Sequence, residues 1–133
     1  HNYYYAVVDA NPGCVFYTTD TAVPLSKAPD LVTNAQQLLR EMHLAGSIVG
    51  HIGDGNFHTA IATLPDEYSR AEEYSARLVQ RALELGGTAT GEHGVGIVKR
   101  KFMEAEHGAA LEWMRQIKRL FDPEGILNPG KIV

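Results

Sequence analysis

The chain has 133 residues, 44% of them apolar and 21% charged, which suits one packed globule rather than a disordered segment. Its formal net charge of −4 argues against a nucleic-acid binder, while leaving room for a local cationic site facing an anionic substrate. No apolar run approaches the roughly 18–20 residues that span a bilayer, and no signal peptide opens the chain. A single cysteine, Cys14, can form neither an internal disulfide nor a thiolate metal cage, and reads as a packed or partly exposed thiol. The opening His1-Asn2-Tyr3-Tyr4-Tyr5 is abrupt and aromatic. It reads as a boundary within a longer protein, with His1 alone open to being a tag remnant.

Val15 to Pro24 is rich in β-branched and aromatic residues and predicts a strand. Pro29-Asp30 starts a helix whose Leu31, Ala35, Leu38, Leu39 and Met42 recur at three-to-four spacing, and Gly46 supplies its stop. Ser47 to Ile52 and Phe57 to Leu64 are apolar-rich runs separated by Gly53-Asp54-Gly55-Asn56, a hairpin signal because tight turns need residues that tolerate positive φ. A second helix follows Pro65-Asp66, with a stripe of Ala71, Tyr74, Leu78, Val79, Ala82 and Leu85, and ends at Gly86-Gly87. Thr88 to Thr90 reads as a short strand entering Gly91-Glu92-His93-Gly94-Val95-Gly96. The remainder reads as helical to Asp122-Pro123 on a stripe of Leu111, Met114, Ile117 and Leu120, and Asn128-Pro129-Gly130-Lys131 forms an irregular tail. The order predicts an α+β, ferredoxin-like split βαβ unit, with a mainly antiparallel sheet and helices on one face. The last helix and tail fall outside that unit and are candidates for docking against something else.

If Asp54-Gly55 centres the hairpin, His51 lies directly opposite His58 on one sheet face. Opposed Cβ atoms are about 4.5–5.5 Å apart, close enough for two imidazoles to share a metal ion. The other reading is a neutral, hydrogen-bonded cross-strand pair. Gly91, Gly94 and Gly96 let a loop hold Glu92 and His93 on one concave surface. Glu92 would complete a His-His-Glu site suited to zinc, manganese or iron, and His93 would be free as a general base. Without the histidine pair, the same loop reads as flexible with an exposed Glu and His. Lys99, Arg100 and Lys101 would neutralise a substrate carboxylate or cofactor phosphate, or else form a solvated face. His43 and His107 read as structural or surface residues on helices.

Gly50-His51-Ile52-Gly53-Asp54-Gly55-Asn56-Phe57-His58 and Thr90-Gly91-Glu92-His93-Gly94-Val95-Gly96, followed by Lys99-Arg100-Lys101, resemble signatures of the C-terminal domain of FAD-linked oxidases. Thr19-Asp20 to Val23-Pro24-Leu25-Ser26 and Leu127-Asn128-Pro129-Gly130-Lys131 fit the same family in order and spacing, so the resemblance runs from about Tyr4 to Val133. The family includes cytochrome-linked D-lactate dehydrogenases, the glycolate oxidase D subunit and D-2-hydroxyglutarate dehydrogenases, within the vanillyl-alcohol oxidase superfamily. The resemblance implies that residues 1–133 form a single substrate-binding cap domain, with FAD held mainly by an N-terminal domain of the same polypeptide. It implies His51, His58 and Glu92 as ligands of a divalent metal, zinc or manganese, and His93 as the catalytic base. Asn128 and Lys131 are implied to approach the flavin or the interdomain surface. The expected partners are a small 2-hydroxy acid and an unspecified electron acceptor, and the expected location is cytoplasmic or peripheral to the inner membrane.

Thr59-Ala60 follows His58 where the hydroxyglutarate-oxidising relatives tend to carry an Asn, and Thr18 stands where they place a Lys. Both departures point toward D-lactate or glycolate. Two other classes fit the residues alone: a non-catalytic ferredoxin-like metabolite-binding module, and a hydrolase whose metal activates water. No G-x-G-x-x-G opens a βαβ unit here, so the chain alone is expected neither to retain FAD nor to catalyse.

Overall fold

The computed structural model describes residues 3–133, and the opening His1-Asn2 lies outside the described residues. In chain order the elements are α1 (Tyr3–Ala10), β1 (Val15–Thr18), β2 (Thr21–Ala22), α2 (Ala28–Glu41), β3 (Ala45–Val49) and β4 (Asn56–Thr63). They continue with α3 (Tyr68–Glu84), α4 (Met103–His107) and α5 (Ala110–Phe121). Among the described residues, no helix is long and apolar enough to cross a membrane.

β4 is the axis of the sheet. It pairs antiparallel with β3 on one side and with β1 and β2 on the other. Ala22 adds a single antiparallel bridge to Thr88, all that remains of the expected last strand. With that bridge counted, the chain follows strand, helix, strand, strand, helix, strand, the split βαβ order that the sequence predicts. The fold is α+β, and the first expected strand is divided in two. α1 was not anticipated, because its apolar residues show no clear three-to-four stripe.

Alternation along β4 assigns two jobs to one strand. Phe57, Thr59, Ile61 and Thr63 are buried. Phe57 and Ile61 join a core with Leu31, Ala35 and Leu38 of α2 and Ala71, Tyr74 and Leu78 of α3. His58, Ala60 and Ala62 alternate with them and face the other way, where Ala6, Val7 and Ala10 of α1 share a cleft with Ala60 and Ala62.

The hairpin departs from the expected register. Val49, not His51, is the β3 partner of His58. The connection is not a tight two-residue turn: Ile52–Asp54 form a 3-10 turn, closed by Asp54 N–H to His51 O at 2.9 Å and Gly55 N–H to Ile52 O at 3.1 Å. Gly55 sits at φ +73°, and a Cβ there would lie 2.0 Å from Val23 O. The longer connection leaves His51 outside the ladder, and Gly55 packs its backbone against Val23 O.

Thr59 puts a hydroxyl into the core, where it meets Tyr74 Oη at 3.1 Å. The Tyr74 hydroxyl in turn donates to Ala35 O at 3.2 Å. Burial pushes the Tyr74 phenol from its ordinary 10.0 up to about 12, an effect the Thr59 hydrogen bond only partly offsets. A phenol raised in the folded state contributes stability that is fully present below the ordinary value and lost as pH rises through the folded one. Tyr74→Phe should therefore cost about 1–2 kcal/mol near neutrality, since Thr59 loses its partner. Urea unfolding at about pH 7 and about pH 11 should show an alkaline loss in the parent chain that is smaller in Tyr74→Phe.

Candidate active site

The first expected strand breaks where the site begins. The pairing on either side of the break, Thr18 with Ala60 and Thr21 with Phe57, keeps one register, which sets Thr19 against Thr59 and Asp20 against His58. Thr19 N–H still donates to Thr59 O at 3.0 Å. The return bond is rerouted, because Thr59 N–H donates to the Thr19 hydroxyl at 2.9 Å instead of to its carbonyl. Thr19 O is thereby released and accepts from His58 Nδ1 at 3.1 Å.

That bond determines the tautomer. A carbonyl only accepts, so Nδ1 carries the proton and the lone pair of a neutral His58 is on Nε2. Nε2 lies 2.9 Å from Glu92 Oε1. Two acceptors at that distance require a proton or a metal cation between them. His58 is well enclosed, with its side chain 12% exposed, whereas the side chains of Glu92 and His93 are open at 46% and 52%. The His93 ring stacks on that of His58, with centroids 4.8 Å apart and planes at 4°, and its Nε2 is 3.6 Å from Glu92 Oε1.

Beneath the turn lies Asp20, its side chain 1% exposed. Its carboxylate accepts from Glu92 N–H at 3.1 and 3.3 Å, His93 N–H at 3.1 Å and the Thr90 hydroxyl at 3.5 Å. Lys99 Nζ donates to Asp20 Oδ2 at 2.7 Å and to Asp20 O at 2.8 Å. Burial alone would raise the carboxyl's pKa, but the Lys99 hydrogen bond and the His93 and Glu92 amides outweigh it and hold it below the ordinary value.

The expected site residues are thus partly assembled. His58, Glu92 and His93 come together. His51 does not join them directly: it is exposed, two residues beyond β3, at the entry to the 3-10 turn. Gly50, just before it, lies so close to β4 that a Cβ would be 2.4 Å from Phe57 Cα. Asn128 and Lys131 lie on the C-terminal tail, with Lys131 Nζ donating to Asn128 Oδ1 at 3.3 Å, at a cleft of about 550 Å³ shared with α5. Arg100 and Lys101 stand outside the cluster; Arg100 donates to Gly130 O at 3.2 Å and Lys101 lies over the Phe102 ring.

Sequence reasoning missed Asp20 and misjudged Lys99. The available signal was a carboxylate in the middle of a β-branched run, which strands disfavour. Donor atoms of Asp20, His58 and His93 fall within 4.8 Å of one another. Its Oδ2 is taken by Lys99, the His93 amide and the Thr90 hydroxyl, while Oδ1 accepts from the Glu92 amide and lies 3.7 Å from His58 Nδ1, so Asp20 is bound mainly into the scaffold.

The family model described as FAD linked oxidases, C-terminal domain, matches residues 4–132. A probable mitochondrial D-lactate dehydrogenase of Danio rerio is 41% identical over 137 aligned positions, covering all of this chain and 28% of that protein. The mitochondrial D-lactate dehydrogenase [cytochrome] 1 of Saccharomyces cerevisiae is 44% identical over 87% of the chain and 20% of its own length. Glycolate oxidase subunit GlcD of Bacillus subtilis is 38% identical over 85% of the chain and 25% of its own. The chain therefore spans about a quarter of the length of these relatives. A solved 4-ethylphenol oxidase from Gulosibacter chungangensis, in complex with isoeugenol, shares the fold at TM-score 0.61 and 19% identity, over 96% of this chain and 26% of that one. With the family model matched almost end to end, the chain belongs to the FAD-linked oxidases, a family of oxidoreductases, and represents their C-terminal domain.

Proposed function

We propose that this chain is the substrate-binding cap of an FAD-dependent dehydrogenase that oxidises a small D-2-hydroxy acid, D-lactate or glycolate. The observation that carries the reading is His58 Nε2 facing Glu92 Oε1 at 2.9 Å with its proton committed to Thr19 O. A neutral imidazole nitrogen and a carboxylate oxygen suit zinc or manganese, so these residues fit the metal that the resemblance implies. His58 and Glu92 would hold it, with His51 as the third ligand from the adjoining loop. A divalent ion there supplies Lewis acidity toward the substrate's carboxylate and 2-hydroxyl. His93, open to solvent beside Glu92, takes the hydroxyl proton on Nε2. The redox chemistry is the flavin's, as acceptor of the C2 hydride.

The small substrate is supported by where the two departures fall. Thr18 and Ala60 are cross-strand partners, and Ala60 shares its sheet face with His58. One short hydroxyl and one methyl offer neither a cation nor an amide to a second carboxylate. The FAD-holding remainder of the polypeptide would cover α5, where Trp113, Ile117, Leu120 and Phe121 form one face and are 58–78% exposed. The length of the relatives, about four times that of this chain, makes the rest of the same polypeptide the natural occupant.

Purified chain should carry stoichiometric zinc or manganese by elemental analysis, and His58→Ala and His51→Ala should both lose it. Full retention in His58→Ala would overturn the metal reading, while retention in His51→Ala alone would remove only that ligand. In the full-length enzyme, Thr18→Lys with Ala60→Asn should raise kcat/KM for D-2-hydroxyglutarate relative to D-lactate by about tenfold or more. An unchanged ratio would count against the substrate assignment. The 133-residue chain alone should reduce no dye with D-lactate. Dye reduction by it would show that the missing part is dispensable.

A further inference from the structure

Glu92 and His93 sit over a buried carboxylate and its lysine, for which the proposed chemistry has no direct use. We propose that Asp20 is a positioning residue: it fixes the backbone of the turn that presents Glu92 and His93 to His58, with Lys99 as its counter-ion rather than a substrate contact. Its consequence for metal binding rests on the reading of the preceding subsection.

Glu92 and His93 extend beyond the regular ladder, and their amides turn inward to Asp20 instead. One carboxylate holding two successive amides sets the direction in which both side chains leave the turn. The same segment is tied upstream by Ala89 N–H to Glu106 Oε2 at 2.9 Å and by Thr90 N–H to the Thr88 hydroxyl at 3.2 Å. Gly91 lets the turn press down onto this anchor, since a Cβ there would lie 2.4 Å from Asn56 Oδ1 and 2.7 Å from Asp20 Oδ1.

Lys99 completes the device. Its side chain is 17% exposed, and its ammonium donates to both the carboxylate and the carbonyl of Asp20. The buried pair is neutral overall, so the anchor holds the turn without placing a second net negative charge beside Glu92. A simple stabilising ion pair would also be buried and neutral, and the two roles separate when the pair is removed together.

The test uses the whole chain as the parent, Lys99→Met, Asp20→Leu/Lys99→Met, in which an apolar side chain of similar shape offers the amides no acceptor, and Asp20→Glu. Two quantities are read: zinc affinity by titration calorimetry, and the order of the Glu92 and His93 amides by ¹⁵N relaxation of the metal-free chain. Loss of positioning in the double variant should weaken zinc binding about tenfold or more relative to the parent, whereas Lys99→Met removes the counter-ion but leaves Asp20 as acceptor and should keep the Glu92 and His93 amides ordered. The double variant should keep its far-UV circular dichroism while both amides become mobile. Ordered amides in it, or parental zinc affinity, overturn the proposal. If the double variant does not fold, Asp20→Glu decides, because it retains the charge and Lys99 but moves the acceptor oxygens by one methylene. Parental affinity and order in Asp20→Glu would sink the idea, and loss of both would sustain it. Should the parent itself bind no zinc, the metal reading fails, and the amide measurement alone still judges Asp20.

Discussion

A carboxylate removed from water must find donors for its oxygens or give up its charge. Asp20 meets this requirement with two backbone amides, one hydroxyl and one ammonium, all from residues 90–99. Much of the surrounding architecture follows from that demand. Residues seventy or more positions away are drawn onto the edge of the first strand. The strand itself opens there, and Gly91 has to lack a side chain because the turn comes so near. Asp20 costs the sheet a regular segment and gives the turn over it a defined place.

The second constraint is the two-residue period of β4. Buried Thr59 and its neighbour His58 point to opposite faces, so the strand serves packing and chemistry at alternate positions. The two faces are joined through Thr19. Its hydroxyl replaces its carbonyl as acceptor for Thr59 N–H, and the freed carbonyl orients the His58 ring. One polar substitution within the ladder, a side-chain oxygen for a main-chain oxygen, thereby sets which nitrogen His58 presents to Glu92.

Most of the fold was legible in the sequence because it rests on periodicity. Helices α2 and α3 show strong three-to-four stripes and Pro starts, and α3 ends just before Gly86-Gly87 as expected; α2 instead ends at Glu41, and Gly46, expected as its stop, lies within β3. His58, Glu92 and His93 were legible as a group because glycine spacing and residue chemistry agreed. What failed was whatever depended on close approach between distant segments. The hairpin register followed from a local rule for Asp-Gly, while the real connection is longer and packs Gly55 against Val23 O. Thr88 to Thr90 had strand-like residues but only one bridge to make, since its other polar groups bond locally between the Thr88 hydroxyl and Thr90 and, through Ala89 N–H, to Glu106. Lys99 looked like a surface cation because nothing in its own neighbourhood reveals a carboxylate seventy-nine positions earlier.

The C-terminal region follows the same logic at longer range. Asp122 ends α5 by accepting from Ile126 N–H at 2.9 Å and Leu127 N–H at 3.0 Å, and it pairs with Lys118. Lys118 also donates to Leu127 O at 2.6 Å, so the helix end and the tail are held as one piece. The tail then returns to the glycine-rich segment, where Ile132 N–H donates to Gly96 O at 3.0 Å. Ile132 makes this contact at φ +66°, a left-handed conformation that a β-branched residue adopts only under constraint. The turn bearing Glu92 and His93 is therefore anchored at its near end by Asp20 and bonded at its far end to the tail. Anything that covers the apolar face of α5 also bears on that tail, and through Gly96 on the segment that carries the candidate base.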